Sequence, residues 1–88
     1  MVWTVVWLPD AESELAELWL ASTDRERTTL AADQIEKQLR HNPDSAGESR
    51  AAGRRILIVP PLAVIYRILF DDRIVQVSNV REIGVAPC

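Results

Sequence analysis

The chain has little of what disulfide, metal or cofactor chemistry requires. Its 88 residues include one cysteine, one histidine and three glycines. The cysteine, Cys88, has no partner in the sequence for a disulfide bond or a metal site. There is neither a cluster of His and Cys residues nor a glycine-rich phosphate loop, so we expect no metal, nucleotide or flavin cofactor.

Long apolar runs are missing as well. No segment approaches the roughly 20 apolar residues of a membrane-spanning helix, and residues 1–10 lack the basic flank of a signal peptide. We therefore expect a cytoplasmic protein with no membrane contact. Hydrophobic residues make up 48% and charged residues 26% of the sequence, which is typical of a globular protein, and the length fits one domain over residues 1–88.

A basic excess, the usual mark of a small nucleic-acid-binding protein, is also absent. The formal net charge is −3. Residues 1–50 contain five Lys/Arg and ten Asp/Glu, a balance of −5, whereas residues 51–88 contain five and three, a balance of +2. Phosphate neutralisation supplies most of the affinity for nucleic acid, so the overall charge argues against general nucleic-acid binding.

Residues 2–8 are rich in β-branched and aromatic side chains and predict a strand. Alternation places Trp3 and Trp7 on one face and Val2 and Val6 on the other, so both faces are apolar. We expect helices of the same domain to cover one face and a partner or a packed loop to cover the other.

A helix is expected next, over residues 10–21, with Pro9 suited to its first turn. One stripe recurs at helical spacing. It consists of Ala11, Leu15, Leu18 and Ser22, with Trp19 widening it. The acidic residues Glu12, Glu14 and Glu17 lie mostly off this stripe, and we expect them on a solvated face.

A second helix completes a helical hairpin. Thr23 and Glu26 form a capping-box pattern at its start, with Asp24 as the alternative cap. Its apolar positions are Ala31, Ala32, Ile35 and Leu39, and it is expected to reach about Arg40 before Asn42-Pro43 ends it. His41 suits the negative end of the helix dipole, which we prefer to a catalytic role. Residues 41–53 predict a loop with little structure of its own.

Residues 54–82 predict three strands in sequence. Residues 54–59 and 62–70 are separated by Pro60-Pro61, which cannot donate ladder hydrogen bonds and indicates a turn. Residues 71–73 form a tight hairpin loop before the last strand. On that strand Val80 is one place out of phase with Val75 and Val77, so a bulge is expected near Ser78-Asn79.

The order strand, helix, helix, strand, strand, strand predicts an α+β fold of two layers. In this β-α-α-β-β-β arrangement the helical hairpin packs on one face of a mostly antiparallel four-stranded sheet.

This organisation and several motifs resemble the RelE/ParE superfamily of bacterial type II toxins over nearly the whole chain. The motifs are Pro9-x-Ala11-x-x-x-Leu15, Pro43-x-x-x-Gly47, Arg55-Ile56-Leu57, Val64-x-Tyr66-Arg67-Ile68 and Val75-x-Val77-x-x-Val80. The resemblance implies a toxin of a toxin–antitoxin, or plasmid stabilisation, module in the bacterial cytoplasm, blocked by a cognate antitoxin. It also implies one of two activities: ribosome-dependent mRNA cleavage, as in RelE-like toxins, or gyrase poisoning, as in ParE-like toxins.

Metal-independent RNA cleavage requires a group that activates the 2′-hydroxyl, cations for the developing charge and an acid for the leaving oxygen. The sequence departs from the RelE-like set at three places. Ala63 replaces an arginine that often precedes the Val-x-Tyr core, Glu82 follows Arg81 where a second basic residue is common, and the expected C-terminal tyrosine is absent. Glu82 would also repel a phosphate.

Four arginines remain as candidate catalytic residues: Arg54, Arg55, Arg67 and Arg81. Arg55 and Arg67 match positions that the family often keeps, and they are equally compatible with surface ion pairs to acidic residues. We expect Trp3, Trp7, Arg55 and Arg67 to contribute to antitoxin binding. Tyr66 is interpreted as a core aromatic with its hydroxyl at an edge rather than as an acid catalyst.

Three functions follow from these residues. The first is a toxin-like protein that acts by binding its target, as ParE-like proteins do. The second is a divergent, metal-independent and ribosome-dependent endoribonuclease that uses the four arginines. The third is a degenerate, non-catalytic interaction domain, retained as an antitoxin decoy or as a homodimer.

Overall fold

The computed structural model describes residues 2–83, which form one helical layer and one sheet. The helices are α1 (Pro9–Ala21), α2 (Arg25–His41) and α3 (Pro43–Ala46). The strands are β1 (Thr4–Trp7), β2 (Glu48–Ser49), β3 (Arg55–Val59), β4 (Leu62–Leu69) and β5 (Ile74–Glu82), and a 3₁₀ turn covers Ala51–Gly53. Cys88 lies outside the described residues.

The sheet has the strand order β1-β5-β4-β3-β2. β1 runs parallel to β5, and every other pair is antiparallel. The predicted α+β fold, with a helical hairpin on a mostly antiparallel sheet, is therefore confirmed. The predicted number of four strands is wrong, because β2 adds a fifth strand at the edge beside β3.

The fifth strand lies within residues 41–53, which we expected to have little structure. This segment instead contains α3, β2 and the 3₁₀ turn. It has no apolar period, but Pro43 is buried and Ala46 packs against the core, and side chains of the sheet help to hold the segment in place. Tyr66 and Arg55 both donate hydrogen bonds to its carbonyl oxygens.

The helix boundaries are close to those expected from the sequence. α1 begins at Pro9, which occupies the first turn. α2 is capped by Asp24, whose side chain accepts a 3.1 Å hydrogen bond from the backbone N–H of Arg27. The carboxylate of Asp24 therefore takes the place of the Thr23 capping box. At the other end of α2, the N–H of Asn42 bonds to the carbonyl oxygen of Gln38.

The core lies between the helices and one face of the sheet. Its fully or nearly fully buried apolar members are Ala11, Ala31, Ile35, Leu39, Leu57, Leu62, Val64, Tyr66, Val75, Val77 and Val80. α2 contributes three of these residues, whereas α1 contributes only Ala11. Leu15 and Leu18 of α1 are half-buried, so part of the apolar stripe of α1 is left open.

The predicted bulge in β5 is confirmed. Tyr66 pairs with Val77 and Ile65 pairs with Asn79, which leaves Ser78 as the extra residue. The hydroxyl of Ser78 donates a 3.1 Å hydrogen bond to the carbonyl oxygen of Ile65. The extra residue brings Val80 back to the helix-facing side of the sheet.

The remaining predicted turns are also present. Pro60 and Pro61 connect β3 to β4, and the turn from β4 to β5 ends at Arg73, whose φ is 52°. Within residues 2–83, no helix combines the length and apolar composition that crossing a membrane requires. Over the same residues, no cluster of His, Cys, Asp and Glu has an arrangement suited to a metal ion.

Candidate functional site

Arg55, at the start of β3, is bound to the segment that follows α2. Its Nη2 donates hydrogen bonds of 2.5 Å to the carbonyl oxygen of Asp44 and 2.7 Å to that of Gly47. Beside it, the buried hydroxyl of Tyr66 donates a 2.7 Å hydrogen bond to the carbonyl oxygen of Pro43. The guanidinium thus satisfies backbone acceptors on the helix-facing side of the sheet, and Tyr66 is the core aromatic that the sequence predicts.

Gly47 is required for this arrangement. A Cβ atom at Gly47 would lie 2.4 Å from the carbonyl oxygen of Ile56 and 2.6 Å from the hydroxyl of Tyr66. Both distances are well inside van der Waals contact, so only a glycine lets the backbone approach β3 this closely. The Pro43-x-x-x-Gly47 motif therefore has a steric origin.

Arg81, near the end of β5, forms an ion pair with Glu14 of α1. The same carboxylate accepts a 3.0 Å hydrogen bond from the backbone N–H of Val80 and a 3.3 Å bond from the amide of Asn79. β1 pairs with β5 only as far as Val77, so Glu14 provides the acceptor that a strand would otherwise supply. Glu14 holds the end of β5 against α1.

These contacts lower the pKa of Glu14 below its ordinary value of 4.5. The backbone hydrogen bond from Val80 is the largest cause, and the hydrogen bonds and positive charge of the neighbouring side chains add to it. The expectation that Glu14 belongs to a solvated acidic face is therefore wrong. It lies three residues after Ala11, beside the apolar stripe, and this spacing is the sequence signal for its contact with the sheet.

Arg54 and Arg67 have few contacts. Both are exposed, and Arg67 makes a single 3.4 Å hydrogen bond to the carbonyl oxygen of Ala52. Arg55 pairs with the buried Tyr66, so its neighbour Arg67 lies on the opposite face of the sheet. Neither Arg54 nor Arg67 forms a salt bridge with any residue in the range 2–83.

The four candidate arginines do not converge on one point. Arg81 pairs with Ala63 in the register of β4 and β5. Ala63 and Arg67 are four residues apart, so the backbones of Arg67 and Arg81 are separated by about 13 Å along the sheet. Arg55 lies on the other face, and Ala63, where an arginine is often found in RelE-like toxins, is only 9% exposed. The four arginines are therefore too far apart, and on different faces of the sheet, to bind one phosphate together.

Trp3 lies at the corner where the end of α2 meets the turn after β4. Its backbone N–H donates a 2.7 Å hydrogen bond to the carbonyl oxygen of Arg40. Its ring makes an edge-to-face contact with Phe70 at 5.7 Å between centroids, and the Arg73 guanidinium lies 5.7 Å from the ring. His41 is the last residue of α2 and is exposed.

Trp7 has a different environment. This last residue of β1 is half-buried, and its indole N–H donates a 3.2 Å hydrogen bond to Glu36 of α2. Its side chain lines a cleft of about 640 Å³ between α1 and α2, which we call the hairpin groove. The other lining residues are Glu12, Leu15, Ala16, Trp19, Leu20, Thr28, Thr29, Ala32, Asp33 and Glu36.

The sequence did not single out the hairpin groove. In the sequence, Trp19 was recognised only as a residue that widens the apolar stripe of α1. In the structure Trp19 is 38% exposed and Leu20 is 63% exposed. Trp19 donates a 3.1 Å hydrogen bond to Thr29, and the Arg25 guanidinium lies 4.8 Å from its ring centroid. The signal available in the sequence was the breadth of the stripe, which exceeds what one sheet face can cover.

Comparison with known proteins rests on structure. No family model matches the chain, and no curated protein matches it by sequence. The toxin–antitoxin complex RelBE2 from Mycobacterium tuberculosis is similar, with 21% identity and a TM-score of 0.77 over 93% of this chain and 99% of that one. The chromosomal ParDE system from P. aeruginosa has 16% identity and a TM-score of 0.72 over 93% and 97%.

A third similar structure is the intact RelBE toxin–antitoxin complex from E. coli. It has 17% identity and a TM-score of 0.66, covering 93% of this chain and 98% of that one. The similarity spans nearly the full length of both chains, as the sequence motifs predict. The described part of the chain therefore has the fold of the RelE/ParE toxins.

Proposed function

We propose that this protein is the toxin of a type II toxin–antitoxin pair in the bacterial cytoplasm, neutralised by a cognate antitoxin and acting by binding its target. The main support is the full-length similarity to chains of toxin–antitoxin complexes. A binding mechanism, as in ParE-like toxins, is supported by the separation of the four arginines and by the neutralisation of Arg81 by Glu14.

The test is induced expression in bacteria from a tightly repressed promoter. We expect growth to stop on induction and to resume when the product of the neighbouring gene is co-expressed. Purified protein added to a gyrase reaction should increase the yield of cleaved DNA, as expected for a protein that traps gyrase on DNA. Normal growth at high expression would contradict the proposal, and arrest without any effect on gyrase would contradict the ParE-like mechanism.

A second candidate is ribosome-dependent mRNA cleavage. The exposure of Arg54 and Arg67 favours it, because neither guanidinium forms a salt bridge within residues 2–83 and both are accessible to phosphates. Mapping of mRNA 5′ ends after induction would then reveal new ends within translated codons, and alanine at Arg54, Arg55, Arg67 and Arg81 would remove them. Glu14→Gln releases Arg81 from its ion pair, so it should raise cleavage if Arg81 serves as a catalytic cation.

A third candidate is a non-catalytic domain that associates with itself. Val6, on the face of β1 that is turned away from the helices, is 37% exposed, and Val2, which precedes the strand, is 59% exposed. If this face forms a homodimer, sedimentation should give twice the monomer mass, and Val6→Lys should return it to the monomer mass. A wild-type protein that is monomeric at high concentration would exclude this candidate.

A further inference from the structure

The two edges of the sheet differ in how they are protected against pairing with another strand. The β2 edge is short, its residues Glu48 and Ser49 are exposed, and Glu48 forms an ion pair with Arg50 at 3.2 Å. Short and charged strands of this kind prevent edge-to-edge association. The β1 edge, Thr4–Trp7, is four residues long and contains neither a charge nor a proline. It therefore lacks these protections and offers its backbone to another strand.

Alternate residues of β1 direct their backbone groups to opposite sides of the strand. The N–H groups of Thr4 and Leu8 donate hydrogen bonds of 3.0 and 2.9 Å to carbonyl oxygens of β5 and its preceding turn. Val6 lies between them in the same parallel register. The N–H and C=O groups of Val5 and Trp7 therefore point away from β5. Within residues 2–83, no backbone hydrogen bond outside the sheet ladder involves either residue.

The open part of this edge is closed at both ends. Before it, the N–H of Trp3 already donates a 2.7 Å hydrogen bond to the carbonyl oxygen of Arg40 in α2. After it, Pro9 begins α1 and has no N–H to donate. An added strand can therefore pair with Val5 and Trp7 but not with the residues on either side of them.

A second copy of β1 fits these limits in one antiparallel register. Val5 of each copy then lies opposite Trp7 of the other, and each of these two pairs exchanges two hydrogen bonds. The two-fold axis passes between the two Val6 residues, which gives the self-complementary contact of a symmetric dimer. The neighbouring symmetric registers would place one of the open residues opposite Trp3 or Pro9, where the edge is closed.

The side chains of β1 also match in this register. Val6, which is 37% exposed on the outer face, lies opposite its own counterpart across the axis. On the helix-facing side, the half-buried Val5 and Trp7 become cross-strand neighbours. Pairs of β-branched and aromatic residues are favourable at such positions.

Charges at the ends of the open edge are complementary. In this register Trp3 of one copy lies opposite Pro9 of the other, and Arg40 is held beside Trp3 by their hydrogen bond. Asp10 directly follows Pro9, is exposed and forms no salt bridge within residues 2–83. The register therefore brings Asp10 of each copy close to Arg40 of the other, and this favours a second copy as the occupant.

We propose that two copies of this chain pair antiparallel through β1, forming a two-fold dimer with one continuous sheet and with Val6 at its axis. The proposal goes beyond the proposed function and does not depend on it, because the edge is the same whether or not the protein is a toxin. It also differs from the third candidate function, in which the outer face of β1 rather than its edge is the interface.

The first test is sedimentation of the purified full-length protein over about a hundredfold range of concentration, up to about 1 mM. The interface is small, so we expect a weak dimer whose population increases across this range. Val5→Pro removes an N–H from the open edge and none from the ladder with β5, and should weaken dimerisation at least about tenfold. Val5→Ala is the matched control, because it shortens the same side chain but keeps the N–H.

The second test determines the register and uses Cys88→Ser as the background. Val6→Cys should form a covalent dimer on mild oxidation. Its Cα atom would lie about 4.5 Å from its counterpart, within the range of about 4.4–6.8 Å that a disulfide spans. Thr4→Cys, on the same face, is the control. Its counterpart would lie about 13 Å away, so it should remain monomeric on a non-reducing gel.

Charge at the ends of the edge gives a smaller effect. Asp10→Lys should weaken dimerisation about fivefold at low salt and less at high salt, because each exposed ion pair contributes a small factor and occurs twice. Glu17→Lys makes the same change in net charge at another exposed position of α1. It should dimerise as the wild type does.

A wild-type protein that stays monomeric to about 1 mM overturns the proposal. A dimer that Val5→Pro leaves unchanged also overturns it, since such a dimer does not use the edge. The same holds if Thr4→Cys cross-links as efficiently as Val6→Cys. Circular dichroism shows whether Val5→Pro is folded, and the cross-linking test does not depend on that variant. Absence of growth arrest contradicts the proposed function alone, whereas these outcomes contradict only the pairing of β1.

Discussion

The arginine-bearing sheet and the helical hairpin differ in the kind of group that they hold in place and the kind that they leave exposed. On the sheet, Arg55 is held by backbone carbonyl oxygens and Arg81 by Glu14. On the hairpin, Trp19 and Leu20 remain exposed. The bound guanidinium groups fix the backbone, whereas the exposed apolar side chains leave surface that another molecule can cover. The difference directs attention from the arginines to the hairpin groove.

The largest expected effect is at the Arg55 end of the sheet. Gly47→Ala should lower the free energy of unfolding by about 1–3 kcal/mol, because the new methyl group overlaps the Ile56 carbonyl oxygen and the Tyr66 hydroxyl. Urea denaturation measures this loss.

Tyr66→Phe in combination with Gly47→Ala is the accompanying control. Removing the hydroxyl relieves one of the two overlaps and leaves the one with Ile56. The two substitutions should therefore be less than additive, the behaviour expected of residues in contact. Full additivity would show that the Tyr66 hydroxyl does not contribute to the cost at Gly47.

The next effect is at the other end of the sheet. Glu14→Ala removes the acceptor for Val80 and the ion pair with Arg81, and should cost about 1–2 kcal/mol of unfolding free energy. Glu17→Ala, an exposed neighbour, should change it by less than about 0.5 kcal/mol. Hydrogen exchange at the Val80 amide should accelerate only in the first variant. Equal exchange in the two variants would contradict the role assigned to Glu14.

Acidification should weaken the same contact. The pKa of Glu14 is lower in the folded protein than its ordinary value of 4.5, so the unfolded chain takes up a proton first as the pH falls. The stabilisation is complete above the unfolded value and is lost as the pH falls through the folded one. Urea midpoints measured from about pH 6 to about pH 2 should therefore decline less steeply in Glu14→Gln than in the wild type.

The smallest effect is on the hairpin. Arg25→Ala removes a cation from the face of Trp19 and two hydrogen bonds to the end of α1, and should cost about 0.5–1 kcal/mol. Arg27→Ala, at an exposed position two residues further along α2, is the control. The tryptophan emission maximum should shift to longer wavelength only in Arg25→Ala, since the ring gains water contact. Identical spectra would indicate that Arg25 does not shield the ring.

The fold was largely predictable from the sequence because the spacing of apolar residues shows which side of each helix or strand is buried. The stripe in α2 and the alternation in β4 and β5 each gave the correct face, and even the phase error before Val80 identified the bulge at Ser78. β2 was missed because two exposed residues, Glu48 and Ser49, carry no alternation. They form a strand because contacts made from β3 and β4 hold the preceding turn.

The candidate sites were less predictable. Residue type suggested that Arg55 and Arg81 bind phosphate, but hydrogen-bond partners far away in sequence decide what a guanidinium does. Glu14 lies 67 residues from Arg81, and no local pattern joins them. The hairpin groove was missed for a related reason, since its exposure depends on how much of the α1 stripe the sheet leaves uncovered.

Because of the bulge in β5, the length of the strand can change by one residue without changing which way its side chains face. Two residues of β5 oppose one residue of β4 at Ser78, so the residues that follow face the same way whether or not that position is occupied. A chain without Ser78 would show unbroken alternation from Val75 to Arg81, with Val80 still toward the helices. Position 78 is therefore where this strand tolerates a change of length without exchanging its two faces.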